Sequence, residues 1–112
     1  GGLQAVIRYE SRRRIEKPVF GFSISDKAGA LIYGSNTEIE RFSLPSIEGQ
    51  GVLRLNLRSL NMAAGTYLMS FSIHSPDYRT VYHRLDHYFP ISIESDKCFE
   101  GSCYMPCQWH LG

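Results

Sequence analysis

The sequence predicts an all-β domain, an immunoglobulin-like antiparallel β-sandwich of seven to eight strands. Three observations lead there. Apolar and polar residues alternate over short runs, the period of a half-buried strand. Turn residues such as Asp26-Lys27-Ala28-Gly29 and Ser75-Pro76-Asp77 separate those runs. No window shows a helical period with caps.

The elements follow in order. Leu3 to Glu10 alternates, with Leu3, Ala5, Ile7 and Tyr9 on one side. Pro18 to Asp26 sets Phe20, Phe22 and Ile24 against Gly21, Ser23 and Ser25. The turn after Asp26 makes Ala30 to Gly34 its hairpin partner. Glu38 to Leu44 is a weaker strand that ends at Pro45, and Ser46 to Gln50 is a turn. Gly51 to Leu60 points Leu53, Leu55 and Leu57 inward and Arg54, Asn56 and Arg58 outward. Thr66 to His74 is the cleanest strand, with Tyr67, Met69, Phe71 and Ile73 on one face and Leu68, Ser70, Ser72 and His74 on the other. Val81 to Glu94 is a long strand, bent or bulged near Pro90. The tail from Lys97 to Trp109 adds a last short strand. Leu60 followed by Gly65-Thr66-Tyr67 fits a tyrosine corner, in which a Tyr opening a core strand bonds back to the preceding loop.

Composition sets the bounds. The 112 residues, 43% hydrophobic, suffice for one packed domain spanning 1–112 and are too few for two. A formal net charge of +1 argues against a nucleic-acid partner, which asks for a basic field. The one basic run, Arg12-Arg13-Arg14 beside Glu10 and Glu16, reads as a solvated turn. No stretch approaches the ~20 apolar residues of a membrane span, and no signal peptide is present. Cys98, Cys103 and Cys107 are odd in number, which suits a reducing cytosol better than a disulfide scaffold. Their spacing lacks paired C-x-x-C knuckles; zinc with His110 as fourth ligand is the weaker alternative to free thiols or one incidental disulfide. No metal and no cofactor are expected.

Catalysis leaves no trace. There is no G-x-S-x-G elbow, no phosphate-cradling loop and no H-E-x-x-H. A Cys103 or Cys107 pair with His110 would sit on a tail ill suited to hold its geometry. Glu38 and Glu40 share a strand face but serve solvation and edge protection better than glycoside hydrolysis. No enzyme is expected, and a small hydrolase is the weakest reading.

The long strand carries the richer constellation. Tyr82, Arg84, Asp86 and Tyr88 share one parity, while Val81, His83, Leu85, His87, Phe89, Ile91 and Ile93 share the core-facing one. The neighbouring strand sets Ser70, Ser72 and His74 beside the outward row, and Ser23 and Ser25 extend it. Flat aromatics, a guanidinium, a carboxylate and small hydroxyls suit a sugar chain, whose hydroxyls take hydrogen bonds and whose C–H faces stack on rings. The candidate carbohydrate-binding residues are therefore Ser70, Ser72, His74, Tyr82, Arg84, Asp86 and Tyr88. The plainer alternative is a solvent-facing row chosen for β-propensity.

An ordered set of pieces resembles one family: Pro18 to Asp26, Gly29 with Ile32 to Thr37, Leu60 with Gly65-Thr66-Tyr67, Tyr82 with Asp86-His87 and Phe89, and Gly101 with Met105-Pro106 and Trp109. Together they resemble the C-terminal domain of the ATPase subunit of bacterial O-antigen polysaccharide ABC transporters, the Wzt type. The resemblance implies a domain excised from the C-terminal end of a longer ATPase subunit. It implies a non-catalytic carbohydrate-binding role, recognising the terminal part of an O-antigen polysaccharide for export. It also implies a homodimer, possible exchange of a strand between copies, an ABC-transporter membrane subunit as partner, and a cytoplasmic place at the inner face of the membrane. The Walker motifs would lie outside this fragment. Two departures stand out: an extra first strand usual in the family is absent, leaving an edge open or filled by a partner chain, and the tail cysteines are not a family feature. Most of the shared glycines and Tyr67 are expected to hold turns and core, and Trp109 is expected to plug the core rather than serve as a stacking platform. An Ig-like interaction or dimerisation module without glycan affinity is the alternative function.

Overall fold

The computed structural model describes residues 2–112. It contains six strands: β1 (Leu3–Glu16), β2 (Val19–Asp26), β3 (Leu31–Asn36), β4 (Ser46–Leu57), β5 (Gly65–His74) and β6 (Val81–Ile93). All pair antiparallel, in a two-stranded sheet β1-β4 and a four-stranded sheet β3-β2-β5-β6. Alternation makes each sheet two-faced, and the apolar faces meet. Ile24, Met62, Tyr67 and Met69 are buried at the centre, with Leu3 and Leu57 packing from the small sheet and Ile91 and Ile93 from the large one. Tyr9 of β1 meets Phe20 of β2 edge-on across the gap, with ring centroids 5.8 Å apart. The architecture is the β-sandwich that the sequence predicts.

The tyrosine corner is present. The Tyr67 hydroxyl donates to the Ala63 carbonyl at 2.6 Å, and the side chain is only 7% exposed. The corner fixes where β5 begins and hence the register of the strand at the sheet's centre.

Five expectations change. Among the described residues the strands number six, not seven or eight. Glu38–Leu44 is no strand, because its backbone bonds locally: Glu40 N–H donates to Asn36 O, Arg41 N–H to Glu38 O, and Phe42 N–H to Thr37 O. The Asn36 side chain caps this turn through Ile39 N–H at 2.7 Å. Ser46–Gln50 is not a turn but the start of β4, since β1 continues past Glu10 and offers it partners; Glu16 pairs with Ser46 and Ile15 with Ile47. The Arg12-Arg13-Arg14 run thus lies within a strand, at the register break between Ser11 and Ile15. Finally, Trp109 does not plug the core. The tail is tied to the body by the Met62–Cys103 bridge and by Tyr104 N–H donating to Asn61 O, and beyond that bond Trp109 is 93% exposed. Cys98, Cys103 and Cys107 are free and exposed.

β6 is bulged, though not at Pro90, which pairs regularly with Leu68. Leu85 faces Phe71 and Phe89 faces Met69, so Asp86, His87 and Tyr88 stand opposite Ser70 alone. His87 takes up the extra length with φ at +52°. A second shift lies nearer the strand's start: Val81 pairs with His74 and His83 with Ile73, which leaves Tyr82 without an opposite residue.

Candidate functional site

The outer face of the four-stranded sheet carries a groove across its strands. Register places Asn36, Gly21, Ser72 and Arg84 in one row over β3, β2, β5 and β6, with Gly34, Ser23 and Ser70 in the adjoining row. Small side chains make the floor low, and the resulting cavity is about 240 Å³. Gly21 matters for this shape: a Cβ there would lie 3.1 Å from Ser72 Oγ and 3.5 Å from Asn36 Cβ. Its absence opens the floor between two polar side chains.

At the β6 end of the groove, Arg84 Nε sits 3.2 Å from Asp86 Oδ1. Both side chains are well exposed, so the pair adds little to stability. It presents donors and acceptors together instead. The bulge positions it: His87 N–H donates to Ser70 Oγ at 2.8 Å, anchoring the extra loop to the floor. The His87 ring reaches the β2–β3 turn, where a Cβ on Gly29 would come within 3.7 Å of it.

Next to His74 the β5–β6 loop forms a second rim. Ser75 Oγ donates to Asp77 Oδ1 at 2.6 Å, and Arg79 N–H donates to the same carboxylate at 3.0 Å. These bonds hold the Asp77 carboxyl below its ordinary value, the Ser75 hydroxyl contributing most. His74 Nδ1 lies 2.8 Å from Ser75 O. A carbonyl only accepts, so Nδ1 is the donor in this contact. Tyr78 stacks on His74 with centroids 4.4 Å apart, and its hydroxyl donates to Glu38 Oε1 at 2.8 Å. That bond raises the Tyr78 hydroxyl above its ordinary value.

Five of the seven residues singled out from the sequence meet in this groove: Ser70, Ser72, His74, Arg84 and Asp86. The other two do not. The unpaired step at Tyr82 turns its ring into a second cavity of about 540 Å³ between the sheets, beside Ile7, Tyr9 and Phe20. There the Arg13 guanidinium lies 6.0 Å from its centroid. Tyr88 sits in the long bulge, 62% exposed against Phe89 and away from the groove lining. Parity counting assumes an unbroken pleat, and two bulges break it. Asn36, Gly21 and Tyr78 were missed. Gly21 was legible as the one outward position on β2 without a side chain; Asn36 and Tyr78 come from turns that alternation cannot orient.

The acidic pair is accounted for locally. Glu40 accepts from Ser35 Oγ at 3.2 Å, and Glu38 holds Tyr78. Among the described residues no three His, Cys, Asp or Glu side chains converge as metal ligands.

Comparison with known proteins adds to this geometry. A family model described as the Wzt C-terminal domain matches residues 2–105. Among solved structures, the crystal structure of the C-terminal domain of Wzt superposes with a TM-score of 0.86 at 17% identity, over 97% of this chain and 69% of that one. At that identity the superposition speaks for the fold alone. No curated protein matches the chain.

Proposed function

The chain belongs to the Wzt C-terminal domain family, and from that premise we propose that it is a non-catalytic module that binds the terminal part of an O-antigen polysaccharide for ABC-transporter export. The observation that carries the reading is the groove. Its floor of Gly21, Ser23, Ser70 and Ser72 admits an extended chain, and Arg84, Asp86, Asn36 and His74 supply donors and acceptors at its edges. Such a surface suits a polyhydroxylated ligand, whose hydroxyls exchange water for fixed partners at little net cost. The low apolar content of the groove does not suit a lipid or a helix-binding role.

On this reading the domain works in the cytoplasm, at the inner face of the membrane, as part of a longer ATPase subunit that engages the transporter's membrane subunit. It acts as a homodimer, and the exposed tail with Met105, Trp109 and Leu111 is the segment suited to exchange between copies. Two grooves per dimer raise apparent affinity above that of one shallow site.

The test is retention of O-polysaccharide from the source organism on the purified domain, with an unrelated O-polysaccharide as control. Cognate-only retention, lost in Arg84→Ala with the fold intact, supports the reading. No retention by a well-folded dimer favours the second reading, an assembly module without glycan affinity, for which the exposed apolar tail is the favouring observation.

A further inference from the structure

Tyr78 stands at φ +64°, in the left-handed region that tyrosine seldom adopts. Residues held there persist where surrounding contacts over-determine them, and they gather at ligand clamps. The contacts around Tyr78 are of that kind. Ser75 N–H donates to Thr80 O at 2.9 Å and Tyr78 N–H to Ser75 O at 3.0 Å, closing the loop from within. Thr80 N–H donates to Ser75 Oγ at 3.0 Å. The ring then lies over His74, tilted by 33°. Its hydroxyl reaches across β2 to the end of β3, donating to Glu38 and accepting from Asn36 Nδ2 at 3.4 Å.

All this ordering closes no core. Tyr78 remains 52% exposed. Of the three side chains that hold it, His74 and Asn36 line the groove, and Glu38 lies outside it. An ordered, half-exposed aromatic ring at the rim of a hydrogen-bonding floor has the form of a stacking surface, because a flat ring offers large contact area with few rotors to freeze.

We propose that Tyr78 is a specificity-determining residue of the groove, its ring forming with His74 a platform for the C–H face of one sugar ring while Arg84 and Asp86 bind hydroxyls of a neighbouring ring. The proposal rests on the carbohydrate reading above and narrows its ligand: a pyranose with an uninterrupted C–H face is accepted, and one whose axial hydroxyl breaks that face is disfavoured.

The experiment measures equilibrium binding of lipid-free O-polysaccharide from the source organism to Tyr78→Phe, Tyr78→Leu, Tyr78→Gly and Arg84→Ala, each checked for folding by circular dichroism. Glycine is at ease at positive φ, so Tyr78→Gly removes the ring without straining the loop. Tyr78→Phe should bind within about threefold of wild type, and Tyr78→Leu and Tyr78→Gly about five- to tenfold more weakly. Wild-type affinity in the Leu and Gly variants beside a loss in Arg84→Ala overturns the platform and leaves the groove standing. Equal losses in Phe and Leu also overturn it, because the hydroxyl and not the ring then matters. Full binding by all four variants overturns the platform together with the groove itself.

Discussion

Removing one oxygen from the tyrosine corner should lower the melting temperature markedly while leaving the groove alone. In Tyr67→Phe the ring stays in the core, where its neighbours Ile24 and Met69 pack the same carbon frame. What goes is the 2.6 Å bond to Ala63 O. A neutral hydrogen bond contributes about 1 kcal/mol net, and stranding its partner adds up to ~1–3 kcal/mol more when no water can replace it. Ala63 is half-buried, so water reaches its carbonyl in part. The expected cost is therefore about 1–2 kcal/mol, toward the lower end of that combined range. For a domain of this size each kcal/mol shifts Tm by roughly 4–6 °C. Thermal unfolding followed by circular dichroism should show a fall of about 4–12 °C. Tyr33→Phe is the control: its side chain is exposed and its hydroxyl makes no bond among the described residues, so its Tm should stay within about 2 °C. A Tyr67→Phe shift no larger than the control's would refute the claim that the corner anchors β5.

Three other outcomes are expected. Tyr82→Ala should destabilise by about 1–2 kcal/mol in urea unfolding, because a half-buried ring leaves the inter-sheet cavity, yet it should retain polysaccharide below its melting temperature, unlike Arg84→Ala. Gly21→Val should keep the fold, since the position faces outward on a strand, and should weaken binding about tenfold by raising the floor between Ser72 and Asn36. Asp77 is held below its ordinary value on folding, so the stability it contributes is present above its unfolded value and lost as pH falls through the folded one. Tm against pH should accordingly drop less steeply below about pH 4 in Asp77→Asn than in wild type.

Much of the fold was legible residue by residue. Strand period showed which residues of β2 and β5 face the core, and the burial of Phe20, Ile24, Tyr67 and Met69 agrees. Gly65-Thr66-Tyr67 marked the corner because that motif carries its own partner, four residues away. Glu38–Leu44 misled because alternation in a short polar stretch does not distinguish a strand from a helical turn capped by Asn36. The site was legible where strands are regular: Ser70 and Ser72 on β5, and Arg84 on β6, lie where parity puts them. It failed at Tyr82 and Tyr88, each beside a register shift.

Local chemistry, then, was determined by the sequence alone: the all-β class, the apolar face of each central strand and the tyrosine corner all follow from neighbours a few residues apart. Tertiary structure decided what depends on pairing between distant segments. The bulge opposite Ser70, the inward turn of Tyr82, the exposure of Trp109 and the reach of Tyr78 from one loop to Asn36 and Glu38 are set by how many residues two strands spend on the same length of ladder. A single chain read along its length carries no count of its partner's residues, and that count is what aims the side chains of the groove.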